Sequence, residues 1–147
     1  MSATARLAEL GISLPPVATP AGSYVPAVRT GNLVYTSGQV PMEATKGKVG
    51  AEVSAEDAQA AARACALQAL AAVDALVGLD SVVRVVKVVG FVASAPGFTG
   101  QPGVINGASD LLGEVFGEAG AHARSAVGVA ELPLGVPVEV ELIVEVR

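Results

Sequence analysis

Residues 82–92 read VVRVVKVVGFV, with Val at seven of the eleven positions. Side chains branched at Cβ lose rotamers in a helix but pack well on a pleated sheet. The stretch therefore predicts a long strand, Ser81–Ala93. Arg84 and Lys87 are three apart, so a regular strand would point them to opposite faces. The pair predicts either a bulge or a charge at a boundary. Immediately upstream, residues 54–76 are rich in alanine, the best helix former. Ser54 is placed to cap that helix, with Asp57 three residues on as a variant of the capping box, and Gly78 stops it. Glu56 and Asp57 complement the positive end of its dipole. Leu67, Leu70, Val73 and Leu76 stand among alanines on a wide, flat face suited to lying on a sheet. Downstream, Gly103–Phe116 predicts a second helix, with Ile105, Leu111, Leu112, Val115 and Phe116 as its packing residues.

Working outward, residues 3–10 predict a short amphipathic helix ended by Gly11. Residues 12–22, rich in Pro and small residues, predict an irregular arm. Strands are expected over Tyr24–Arg29 and Asn32–Ser37, joined by a hairpin at Thr30-Gly31. Val40–Met42 and Lys46–Lys48 read as loop around a short edge strand. Two further strands, Ser125–Glu131 and Val136–Val146, flank a turn at Leu132–Gly135. The last of them alternates Val138, Val140 and Leu142 with Glu139 and Glu141. The order β-β-(β)-α-β-α-β-β predicts an α+β domain, residues 1–147, with a single sheet and two helices on one face. Residues 1–15 form an N-terminal helical extension to it.

Composition narrows the function classes. Of 147 residues, 52% are hydrophobic, and the share comes mainly from 27 Ala and 25 Val rather than aromatics, which are 3%. Charged residues are 16%, against a usual share of about 25%. So much small apolar side chain with so little charge to cover it predicts an oligomer. A net charge of −5 gives no basic surplus for nucleic acid. The longest charge-free stretch, Val88–Ser109, holds Pro96, Pro102 and five glycines, so it is not a continuous membrane span. The N-terminus lacks a secretory pattern, and the expected setting is cytoplasmic. One cysteine, Cys65, and one histidine, His122, provide neither an intrachain disulfide nor a metal cluster. Cys65 reads as a small buried hydrophobe and His122 as a surface or interface residue.

The candidates for chemistry are polar residues set in apolar segments. Arg124 precedes an apolar strand; a guanidinium there either grips a ligand carboxylate through two parallel hydrogen bonds or closes a structural ion pair. Glu139 and Glu141 share a strand face, which is either a solvated outer face or, for one of them in a cleft, a general base acting on water. Gly38, in Thr36-Ser37-Gly38-Gln39, would let a ligand approach backbone N–H, and Ser37 adds a hydroxyl. The same four residues also suit a plain strand-to-loop turn. Tyr24 either covers a pocket or packs with its hydroxyl satisfied. Asn106 is either a ligand to substrate or a residue of the helix start.

Taken together, PAGSYVPAV at 20–28, GNLVYTSGQVP at 31–41, the 82–92 strand, INGASDLLGEVFG at 105–117, ARSAVGVAELP at 123–133 and VEVELIVEV at 138–146 resemble the RidA family, also called the YjgF family. The order and spacing of TSGQVP, ARS and LP-then-VEVE carry the resemblance over residues 16–146. It implies a chorismate-mutase-like fold assembled as a homotrimeric barrel with a ligand cleft at each subunit interface. It also implies hydrolysis of enamines and imines of amino acids, such as 2-aminoacrylate, to 2-keto acids and ammonia, with no metal and no organic cofactor. Position by position, Arg124 matches the carboxylate-binding arginine and Glu139 the glutamate that holds water. Gly38, Ser37, Tyr24 and Asn106 match the cleft lining. Where the family usually has Pro ahead of the arginine, this chain has His122; where Cys often follows it by two, it has Ala126, which completes the substrate-binding set. Two other functions compete. One is a non-catalytic trimeric binder of small carboxylates or keto acids. The other is an endoribonuclease, which the acidic balance and single histidine argue against.

Overall fold

The computed structural model describes all of residues 1–147. Its elements are α1 (Ala3–Glu9), β1 (Ala27–Thr30), β2 (Leu33–Thr36), α2 (Ala55–Val77), β3 (Val82–Ala93), α3 (Gln101–Phe116), β4 (Ala123–Val129) and β5 (Val138–Val146). The five strands make one mixed sheet in the order β1-β2-β5-β3-β4. Only β3 and β4 run parallel, as they must when α3 crosses over between them. Helices α2 and α3 pack on each other and on the same face of the sheet. The α+β expectation of one sheet with two helices on one face is therefore met.

The alanine run explains the packing. Ala58, Ala61, Ala62, Ala66 and Ala69 are buried with Leu70 and Val73 on α2, and Val138, Val140, Leu142, Val144 and Val146 of β5 meet them from below. Small side chains let backbones approach closely. A methyl group on Gly107 of α3 would overlap the backbone carbonyl of Gln59 on α2, and Gln59 Nε2 donates to Gly103 O at 2.8 Å across the same contact. A backbone atom has no rotamer to escape into. Gly107→Ala is expected to cost about 1–3 kcal/mol of stability, read as a lower urea midpoint at unchanged slope. Helix α2 is also long and apolar enough to cross a membrane, but half of its apolar window is buried in this core.

The bulge foreseen in the valine strand occurs twice. The β3–β5 register slips between Val82 and Arg84 and again between Val85 and Lys87. Arg84 thus pairs with Glu145 and Lys87 with Ile143, two residues apart on β5. The slip at Val86 returns Lys87 to the face that Arg84 occupies, which resolves the three-residue spacing. That face is the one without helices. It carries Glu139, Glu141 and Glu145 with Phe91, Val89 and Ile143, and with Val28, Tyr35 and Val127, each at least 40% exposed.

Several boundaries moved. The expected strand from Tyr24 begins at Ala27, just after Pro26, which has no N–H to donate to a ladder. The second helix begins at Gln101, with Pro102 in its first turn, where the missing N–H costs nothing. Loop 40–53 forms only isolated bridges, such as Val49 with Val53 and with Ser94. The N-terminal helix docks on the C-terminal part of α3: Leu7 is buried, and Arg6 Nε donates to Glu114 O at 2.9 Å.

Candidate functional site

The candidate residues form two groups on opposite faces of the sheet. Arg124 lies on β4, an edge strand whose outer side is unpaired. It pairs with Val88 and Ala126 pairs with Gly90, so both face the helix side. No carboxylate lies within 4.0 Å of Arg124, which disposes of the structural ion pair. Neutral acceptors of α3 hold the guanidinium instead. Nη1 donates to Asn106 Oδ1 at 2.7 Å and to Ser109 Oγ at 3.2 Å, and Nη2 donates to Pro102 O at 3.3 Å. Three of the five donors are thus committed. The remaining two are Nε–H and one Nη2–H, and Nε and Nη2 share an edge of the guanidinium plane. That edge is a fork suited to a carboxylate. Asn106 keeps its amide protons free, and Ala126, half-buried beside Gly90, packs against the core.

The second group is Glu139 with Gly38 against it, preceded along the chain by Ser37 and Tyr24. Strand β2 pairs Tyr35 with Ile143, and the ladder resumes with Gln39 opposite Val140, one residue out of register. The extra residue falls at Ser37-Gly38 and swings Gly38 over Glu139. A methyl group on residue 38 would overlap the Glu139 carboxylate, so a larger residue there would displace the carboxylate from its place. The Gly38 N–H donates to no protein acceptor and stays available to a ligand. Ser37 Oγ donates to Val25 O at 2.6 Å, so its proton is committed and only its lone pairs face outward. Tyr24, half exposed, accepts from Ala21 N–H at 3.1 Å. Tyr24 and Gly38 line a cavity of about 310 Å³ with Pro20, Pro26, Met42 and Leu134. Burial, then the neighbouring charge of Glu141, raises the Glu139 carboxyl above the ordinary carboxylate range. Cys65 is fully buried on α2 and burial pushes its thiol far up, so it is no nucleophile.

Glu139 and Arg124 are separated by three residues along the sheet and two strands across it. At about 3.3 Å per residue and 4.8 Å per strand, their backbones are roughly 14 Å apart, with side chains on opposite faces. Two residues were missed by the sequence reading. His122, expected at a surface or interface, is half-buried and hydrogen-bonded to Ser109 Oγ at 2.9 Å and Gly120 O at 2.6 Å. Ser109 joins it to Arg124. No sequence signal marked this pair, because the contact spans thirteen residues and two elements.

Comparison with known proteins gives a consistent picture. The family model described as endoribonuclease L-PSP matches residues 16–146. The Trypanosoma cruzi protein TCP17 is 51% identical over 97% of this chain and 93% of its own length. The 2-iminobutanoate/2-iminopropanoate deaminase of Escherichia coli is 35% identical over 83% of this chain and 86% of its own. Among solved structures, an Agrobacterium tumefaciens protein of unknown function superposes with a TM-score of 0.90 at 48% identity, covering 99% of this chain and 92% of that one.

Proposed function

The chain belongs to the endoribonuclease L-PSP family, which includes proteins named imine deaminases, and from that membership we propose that it hydrolyses small 2-imino acids. The products would be a 2-keto acid and ammonia. The observation that carries this reading is the unpaired fork of Arg124, held in place by neutral acceptors and open at a sheet edge. Such a fork fits one carboxylate in a bidentate way.

The chemistry asks for little more. An imine carbon is already electrophilic. Arg124 would fix the carboxylate next to it, and Gly38 N–H would hold a polar atom of the substrate. Glu139 would take a proton from water as its oxygen attacks that carbon. It would return that proton to the nitrogen, giving a carbinolamine; it would then take the carbinolamine hydroxyl proton as the C=O bond forms and pass it to the nitrogen as the C–N bond breaks, and ammonia would leave. A raised carboxyl holds a proton more readily than an ordinary one, which suits a group that must both take a proton and return it. Orientation supplies much of the remaining rate, and no metal or organic cofactor is needed in this scheme.

A three- or four-carbon substrate cannot span the separation between Arg124 and Glu139 within one chain. We therefore place the cleft between copies, the edge of β4 from one meeting the uncovered face of another. A contact between two different surfaces closes into a ring when the rotation between copies divides a full turn, and the ring proposed is a trimer with the uncovered sheet faces inward. That arrangement would also bury the exposed valines and Tyr35.

The separation equally favours one other reading: a trimer that binds small carboxylates or keto acids through Arg124 without turnover. An assay in which an amino acid is dehydrated to 2-aminoacrylate distinguishes the two. Added protein is expected to speed pyruvate release above the spontaneous rate. An unchanged rate, beside saturable 2-ketobutyrate binding by calorimetry, would select the binder instead.

A further inference from the structure

We propose that His122 and Ser109 are positioning residues that set the plane of the Arg124 guanidinium for a substrate carboxylate; the inference rests on the reading of Arg124 above. The polarity of the contacts carries it. His122 Nδ1 lies 2.6 Å from Gly120 O, and a carbonyl oxygen only accepts, so Nδ1 bears the proton. In the neutral ring Nε2 is then an acceptor. It lies 2.9 Å from Ser109 Oγ, so the hydroxyl donates to it. With its proton turned toward the imidazole, the Ser109 oxygen presents lone pairs to Arg124 Nη1 at 3.2 Å. With the ring neutral the chain runs one way: Arg124 N–H to Ser109, Ser109 O–H to His122, His122 N–H to the Gly120 carbonyl.

The far end of this chain is fixed to backbone. Gly120 is buried, and a methyl group there would overlap the Leu112 carbonyl. The near end works with Asn106, one turn from Ser109 on α3. Two acceptors on one helix hold both Nη1 protons and so fix the guanidinium plane. A serine hydroxyl alone rotates freely; one bonded to His122 does not, and linked hydrogen bonds polarise one another. The consequence is that Nε and the free Nη2 proton face the substrate in one orientation rather than several.

The test compares carboxylate binding across variants. Ser109→Ala and His122→Phe are each expected to weaken 2-ketobutyrate binding by about 5–10-fold, the size of one net hydrogen bond. KM for the imino acid should rise in parallel, with kcat within about twofold. His122→Gln, which again offers Ser109 an acceptor, should recover most of the loss. Binding of the uncharged methyl ester of 2-ketobutyrate should not change. Equal losses for acid and ester would mean a general structural role and overturn the proposal. Arg124→Ala separates the two levels of argument. If it abolishes 2-ketobutyrate binding while Ser109→Ala and His122→Phe bind as the parent does, the relay is wrong and the role of Arg124 stands. If Arg124→Ala binds normally, the reading of Arg124 itself fails. Should His122→Phe not fold, Ser109→Ala, which removes a single hydroxyl, decides alone.

Discussion

Arg124→Ala is expected to lower kcat/KM for a 2-imino acid by at least about 10²-fold, each decade corresponding to about 1.4 kcal/mol. The loss has two sources. A bidentate, charge-assisted pair disappears, and the carboxylate loses the anchor that aligns the neighbouring carbon with water. Arg124→Lys should recover little. An ammonium is a point charge with no planar fork, and it cannot satisfy Asn106, Ser109 and Pro102 while still presenting an edge. The chain should still fold with a modest loss of stability, because Arg124 closes no ion pair and only its hydrogen bonds to α3 are lost. Steady-state kinetics beside thermal denaturation checks both halves. Parent-like kcat/KM in Arg124→Ala would remove the carboxylate-binding role.

The fold was legible because its two decisive segments are extreme. A run of valines has little choice but a strand, and a run of alanines little choice but a helix. The boundaries that moved are those where proline acts through hydrogen bonding rather than through pattern: Pro26 delays β1, and Pro102 opens α3. Arg124 and Glu139 stood out as charges in apolar strands, but composition could not say what surrounds them. The acceptors of Arg124 come from α3, fifteen to twenty-two residues upstream. Glu139, unlike Glu141, lies against Gly38 where the β2 ladder slips by one residue, and a one-residue slip leaves no trace in a period-two pattern. The acidic balance and small-residue surplus also gain a place. The three glutamates of β5 and the exposed valines lie together on the uncovered face of the sheet.

Glu139→Gln is expected to lower kcat by about 10²–10⁴-fold, the range for loss of a general acid–base group, while raising thermal stability at pH values above the raised folded pKa. The second effect follows from the raised carboxyl. Between its unfolded and folded pKa values the folded chain binds more protons, so stability falls as pH rises through that window. Above the window the half-buried, ionised carboxylate beside Glu141 is a standing cost that the amide lacks. The variant should therefore melt higher than the parent above that window, and the advantage should shrink as pH falls through it towards the unfolded value. In the parent, kcat should decline as pH falls through the raised folded value, as expected of a base that must be ionised to take a proton from water. Mixing then tests where the site lies. If Arg124 of one copy works with Glu139 of the next, co-expressed Arg124→Ala and Glu139→Gln chains assemble some clefts with both groups intact. For random cyclic assembly about one cleft in four is restored, so two nearly inactive proteins together should show about a quarter of parental activity. Activity no greater than the mean of the separate variants would mean that each cleft takes both groups from one chain, and the opposite-face geometry of this sheet would then have to change on assembly.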